Sequence, residues 1–231
     1  MPDVARNIAL LRERVRLVAH ACGRDPGEIA LLAVSKTQPA ASIKAALAAG
    51  QHLFGENYLQ EGLHKISALK ENNIEWHFIG AIQANKTRAV AENFAWAHAV
   101  DRERIAQRLS DQRPAELPPL NVCIEVRLTD ESSKHGVIPE SVPALAACIA
   151  GLPRLRLRGL MAIPEPANDV QQQRLPFRRL RELRDQLNSY GHQLDTLSMG
   201  MSADLEAAIA EGATLLRIGT AIFGPRAAKS G

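Results

Sequence analysis

Apolar residues return along this chain in two rhythms. Val4, Ile8, Leu11, Val15 and Val18 step by four and three, which puts them on one face of a helix. Asp3 before them and Gly23 after them are residue types that start and stop such a helix. Beyond this segment, short apolar runs alternate with longer amphipathic stretches. The runs predict strands near residues 29–35, 52–54, 76–79, 96–100, 120–128, 155–163, 195–199 and 215–219. The stretches between them predict helices near 39–49, 57–72, 84–94, 102–113, 139–151, 170–190 and 203–211. Gly50 and Gly212 stand where a helix is left, and Pro39 and Pro139 where one is entered.

Eight strand-then-helix units imply parallel strands joined by right-handed crossovers. In a chain of 231 residues this is the arithmetic of an α/β fold, a (β/α)8 TIM barrel with an extra N-terminal helix. A doubly wound open sheet is the alternative. It usually carries a glycine-rich turn after its first strand, and here that turn reads Ser35-Lys36-Thr37-Gln38-Pro39. No linker or low-complexity stretch divides residues 1–231, so one domain is expected. Residues 114–119 and 164–168 read as the longer loops.

Composition narrows the classes. The balance of 28 basic against 25 acidic residues leaves a net charge of +3, too little to argue for nucleic acid. Aromatic residues make up only 4%, too few for a base-stacking surface. No apolar run reaches the length of a membrane span, and residues 1–16 are too charged for a secretory signal. Cys22, Cys123 and Cys148 have no CxxC spacing, which suits a reduced, cytoplasmic setting. The seven histidines show no HxxxH or HExxH spacing, and no metal is expected. Residues 174–184 are rich in arginine, with Arg178–Glu182 and Arg181–Asp185 spaced for a salt-laced solvent face. Arg154, Arg156 and Arg158 alternate along a strand entry as a modest anion patch.

In a barrel, chemistry belongs at the C-terminal ends of the strands. Lysine is scarce here, seven against twenty-one arginines, and Lys36 directly follows the apolar run 29–34. It is either a solvated lysine at a strand end or an amine made usable by lost hydration, able to attack a carbonyl. After the seventh strand, Ser202 in Ser198-Met-Gly-Met-Ser202-Ala-Asp204 is either a helix cap or an anion donor. Gly219 and Thr220 follow the eighth strand, where barrels often build a phosphate site from the last two loops. Asp204 is expected to face away from such an anion and help start its helix. A lysine amine and a phosphate cradle at one mouth suit a phosphorylated aldehyde, and pyridoxal 5′-phosphate is one. Arg217, two residues before Gly219, shares its face of the strand and is placed to reach a pyridine nitrogen, unless it is an ordinary paired strand arginine. His77 alone is more simply a hydrogen-bonded core histidine.

Six segments carry a resemblance: 32–37, 54–58, 76–86, 159–164, 198–204 and 217–224. Together they resemble the pyridoxal-phosphate homeostasis proteins, closest to bacterial members, nearly end to end. The resemblance implies a barrel like that of alanine racemase, the fold-type III group. It implies a Schiff base at Lys36, phosphate contacts at Ser202, Gly219 and Thr220, a ring-nitrogen contact at Arg217, and Asn57 near the cofactor. His77, Met161 and Met201, within or beside the matched segments, complete the candidate set. It implies intracellular cofactor balance without evident catalysis, no catalytic residue, a monomer or weak homodimer, and apo-enzymes that depend on pyridoxal phosphate as recipients. The sequence departs from the family pattern at Arg127 and His135, which bears on Lys134. A racemase is the alternative. Two-base racemisation needs a second acid/base group, which racemases take from an additional domain, and the chain is short for one. Tyr58 is its one candidate here, since Tyr190 falls at a helix end far from the mouth.

Overall fold

Asp3 opens the first helix by accepting the Arg6 N–H on its carboxylate at 3.0 Å. In a computed structural model, which describes residues 3–70, 72–128 and 135–225, this helix is α1 (Val4–Ala21). Val4, Ile8, Leu11 and Val15 are buried as the pattern requires, with Val18 at the edge of the stripe. Gly23 leaves the helix with φ +68°.

The eight apolar runs form parallel strands that close on themselves in sequence order. They are β1 (Ala30–Val34), β2 (Leu53–Glu56), β3 (Glu75–Phe78), β4 (Trp96–Val100), β5 (Leu120–Glu125), β6 (Leu155–Met161), β7 (Thr196–Ser198) and β8 (Leu215–Ile218). The circle closes where Ala33 pairs with Phe54 of β2 on one side and Ile218 of β8 on the other. The crossover helices are α2 (Ala40–Ala48), α3 (Leu59–Ala68), α4 (Thr87–Asn93), α5 (Glu103–Gln112), α6 (Val142–Ala150), α7 (Val170–Ser189) and α8 (Leu205–Ala210), with α9 (Thr220–Phe223) after the last strand. This is the expected barrel, not the open sheet. Its main apolar core lies between strands and helices, around Phe54, Phe78, Phe94 and Phe177. Within the barrel, Leu32, Val34, Ile79 and Leu215 form one small cluster, and Trp96, Ala99, Cys123 and Met161 another.

Three local readings need correction. The fifth strand stops at Glu125, where Val126 keeps only a bridge to Val137, and Pro139–Ser141 forms a 3-10 turn before α6. Arg178 and Arg181 of α7 do not pair with Glu182 and Asp185 along their own helix, and Asp185 takes Arg184 instead. Arg174, Arg178 and Arg181 converge on buried Glu211 at 2.7, 3.1 and 2.9 Å, because one desolvated carboxylate attracts them more than exposed neighbours do. Of Arg154, Arg156 and Arg158, the first donates to the Pro114 carbonyl and the last pairs with Asp195, which leaves exposed Arg156 as a single cation rather than a patch of three.

Candidate functional site

At the C-terminal ends of the strands lies a cleft of ≈ 250 Å³. Lys36, Asn57, Met201, Ser202, Arg217, Gly219 and Thr220 all line it. Their neighbours on the walls include Val34, Gln38, Ile79 and Ile163.

Lys36 sits in a backbone pinned on both sides. The Ser35 carbonyl accepts the Lys65 ammonium at 2.6 Å, and the Thr37 N–H donates to Glu61 Oε1 at 2.6 Å. Thr37 takes φ +64°, a left-handed conformation unusual for a β-branched residue. Lys65 holds this turn together, lying 2.7 Å from Glu56 and 2.5 Å from Glu61. Ser35 Oγ also donates to Glu56 Oε1, at 2.6 Å. Burial pushes the Glu56 carboxyl up, and its bonds to Lys65 and Ser35 oppose the rise. The lysine of the cleft therefore stands on a buried, ion-paired platform.

Asn57 reaches the cleft because Gly80 lacks a side chain. A Cβ at Gly80 would sit 2.3 Å from the Asn57 carbonyl oxygen. The Asn57 side-chain oxygen is buried and, among the described residues, has no hydrogen-bond partner. An unmet buried acceptor costs about 1–3 kcal/mol, so this oxygen calls for a donor from a ligand.

The opposite wall comes from the last two loops. Gly200 turns the chain at φ +90°, where a Cβ would lie 2.6 Å from that of Ala208, and its carbonyl accepts the Arg217 N–H at 3.0 Å. Ser202 Oγ accepts the Ala221 N–H at 3.4 Å, so the two loops meet at the serine. Asp204 does not cap α8 with its side chain. It accepts the Met201 N–H at 2.6 Å instead, stiffening the loop that presents Met201 and Ser202. Burial raises its pKa, opposed by that bond and by Arg217.

Arg217 is buried and anchored. Its Nη1 donates to the Ser198 carbonyl and, at 2.8 Å, to Ser198 Oγ, and its Nη2 donates to the Ala162 carbonyl at 2.8 Å. Desolvation brings its pKa down to about 10, with Asp204 and Glu125 opposing, so the guanidinium is still charged at neutral pH. Among the described residues three hydrogen bonds engage the guanidinium, which carries five N–H groups in all.

Two of the nine candidates lie elsewhere. His77 is inward-facing on β3 but one layer too low, and Ile79, two residues on, lines the cleft in its place. Met161 likewise packs inside the barrel with Trp96 and Cys123, while Ile163, two residues on, reaches the cleft. Sequence reading missed Val34, the last residue of β1, and Gln38, which the turn through Thr37 brings back to the cleft beside Lys36. Tyr58 precedes α3, more than half exposed, and neither it nor Tyr190 lines the cleft. Lys134 lies outside the described residues. Among the described residues no group of three or more His, Cys, Asp or Glu is placed to hold a metal ion. None of the described helices is long and apolar enough to cross a membrane.

Comparison with known proteins gives three kinds of match. The alanine racemase N-terminal domain family model matches residues 7–227. A pyridoxal phosphate homeostasis protein of Pseudomonas aeruginosa is 60% identical over 226 residues, covering 98% of this chain and 97% of the relative. One of Escherichia coli is 54% identical over 229 residues, covering 98% of both. The solved structure of PipY from Synechococcus elongatus with PLP bound superposes with a TM-score of 0.84 at 35% identity, over 96% of this chain and 100% of that one. Alanine racemase of Corynebacterium glutamicum shares the barrel at a TM-score of 0.68 and 16% identity, over 99% of this chain and 62% of the racemase.

Proposed function

Since the chain belongs to the pyridoxal phosphate homeostasis protein family, we propose that its cleft holds pyridoxal 5′-phosphate and that the protein serves intracellular balance of this cofactor without catalysis. One observation carries the reading: Lys36, Arg217, Ser202 and Thr220, supplied by segments at opposite ends of the sequence, line a single cleft. The unmet Asn57 oxygen and the Arg217 guanidinium fit a ligand with complementary polar groups. Bound there, the cofactor supplies an aldehyde that an amine captures reversibly, with loss of water.

Lys36 supplies that amine and holds the ligand as a Schiff base. Ser202, Gly219 and Thr220 take the phosphate, and the absent side chain of Gly219 lets the backbone come close. Arg217 faces the ring nitrogen as a permanent donor, which disfavours protonation there and weakens any electron-sink chemistry. Met201 and Asn57 border the ring. Residues 1–231 act as one domain, in the cytoplasm, as a monomer or weak homodimer, and apo-enzymes requiring the cofactor are its recipients.

Racemisation needs a second acid/base group across the ring from the lysine. Neither tyrosine lines the cleft, and this favours a carrier. Titrating the ligand-free protein with pyridoxal phosphate tests the reading, with visible absorbance followed for the native chain and Lys36→Ala. Saturable uptake with an imine band distinct from that of free pyridoxal phosphate is expected in the native chain, and weaker uptake without that band in Lys36→Ala. Equal affinity and equal spectra for both would remove Lys36 from the site.

A further inference from the structure

A line of polar side chains crosses the inside of the barrel, where aliphatic layers usually pack. It begins at Glu75, the first residue of β3 and half-exposed at the N-terminal face. His77 Nε2 lies 3.0 Å from Glu75 Oε1. His77 Nδ1 lies 2.9 Å from His98 Nε2 on β4. His98 Nδ1 lies 2.8 Å from Ser198 Oγ on β7, and Ser198 Oγ accepts from Arg217 Nη1 of β8 at 2.8 Å. His77, His98 and Ser198 are fully buried and Arg217 nearly so. The line therefore runs from the base of the barrel to the cleft at its mouth.

The chemistry of the two ends fixes the direction of every bond. An ionised Glu75 only accepts, and Arg217 only donates. Burial lowers the pKa of both histidines, so each is neutral and carries one ring proton. His77 must place its proton on Nε2, toward Glu75. Its Nδ1 is then an acceptor, so His98 must donate from Nε2. His98 Nδ1 then accepts the Ser198 hydroxyl proton, which leaves the lone pairs of Ser198 for Arg217. All the links agree, and no donor faces a donor. Trp96 supports the base of the line, stacked on His77 with its indole N–H on Glu75 Oε1 at 3.1 Å.

We propose that His77 and His98 are positioning residues: through Ser198 they fix the Arg217 guanidinium in the cleft, and so set how a ligand's ring nitrogen is held. The proposal rests on the cofactor reading above. Removing any link turns Ser198 Oγ free to rotate and loosens Arg217, while Ala162 and the Ser198 carbonyl still retain it. Among the described residues, the other ionisable groups around the line include Asp204, Glu125 and Cys123 beside Arg217, and Arg158 with its partner Asp195 at the Glu75 end.

Two measurements decide it. Nitrogen-15 NMR of the ligand-free protein reads the histidine tautomers without any cofactor. Both His77 and His98 are expected as neutral Nε2–H forms at about pH 7 to 8, above the ordinary histidine value. An Nδ1–H form of His98 would overturn the line. In the second, Ser198→Ala, His98→Phe and His98→Gln are loaded with pyridoxal phosphate, and affinity and the pH profile of the visible band are recorded. Ser198→Ala and His98→Phe are expected to bind about fivefold more weakly, with a displaced pH profile. His98→Gln, which keeps a donor and an acceptor, is expected to recover part of both. Ser198→Ala removes one hydroxyl and keeps the test alive if His98→Phe does not fold. Native affinity and profile in the variants would overturn the positioning role alone. Absence of uptake by the native chain would instead overturn the cofactor reading beneath it, and shows before any variant is made.

Discussion

The two ends of the barrel hold cavities of similar size that differ in how their polar groups are paired. The cleft at the mouth measures ≈ 250 Å³ and the one at the base ≈ 290 Å³. At the base, charges answer one another. Arg158 forks onto Asp195 with its Nη2 2.6 Å away, its guanidinium lies over the Trp96 ring at 4.9 Å, and Glu75 takes bonds from His77 and Trp96. At the mouth, among the described residues, Asn57 presents an acceptor without a donor, and Arg217 holds N–H groups beyond those bound to Ser198 and Ala162. Cavity volume therefore says little about function here. Unmet polar groups at the strand C-termini say more, and the matched charges at the base read as stability.

The comparison breaks most visibly at Lys36. Lys36→Ala is expected to abolish covalent capture of pyridoxal phosphate entirely while leaving some phosphate-driven affinity, read by absorbance titration. Next, Gly200→Ala is expected to cost about 2–4 kcal/mol of stability in denaturant unfolding, since it adds a strained φ to a clash with Ala208. Ser202→Ala is expected to weaken ligand affinity by roughly 1.5–3 kcal/mol, the range for a hydrogen bond to a charged group.

Acid tests the interior between the two ends. Burial holds the folded pKa of His77 and His98 below the usual 6.5, so the unfolded chain takes up protons first as pH falls. Stability is full above that value and is lost below it, by about 1.4 kcal/mol per pH unit for each histidine until its lowered pKa is reached. Unfolding midpoints between neutral and mildly acidic pH measure this, and His98→Phe should remove one histidine's share of the slope. The smallest effect is expected at the base. Arg158→Ala breaks a partly exposed pair and should cost no more than about 1 kcal/mol of stability, with ligand affinity unchanged.

Much of this was legible in the residues, for identifiable reasons. The barrel follows from the alternation of short apolar runs with longer helical stretches, most of them amphipathic, though α2 and α6 are apolar nearly all round. The mouth was legible because Lys36, Ser202, Arg217 and Thr220 each follow or end a strand, and strand ends converge. Depth inside the barrel was not. His77 and Ile79 point the same way, and only the starting point of β3 decides which one reaches the cleft. Met161 and Ile163 repeat the case on β6. Partners distant in sequence were equally hidden. Nothing local announces that Lys65 supports the turn at Lys36, that Glu211 gathers three arginines, or that His98 meets Ser198. Those contacts depend on closure of the barrel, and no sequence window contains both partners.

Borohydride reduction of the protein loaded with pyridoxal phosphate, followed by peptide mass mapping, tests the central claim most directly. The expected result is one reduced pyridoxyl group on the peptide containing Lys36 and none on Lys44, Lys65 or Lys86. A label spread over several lysines, or placed on any lysine but Lys36, would contradict it.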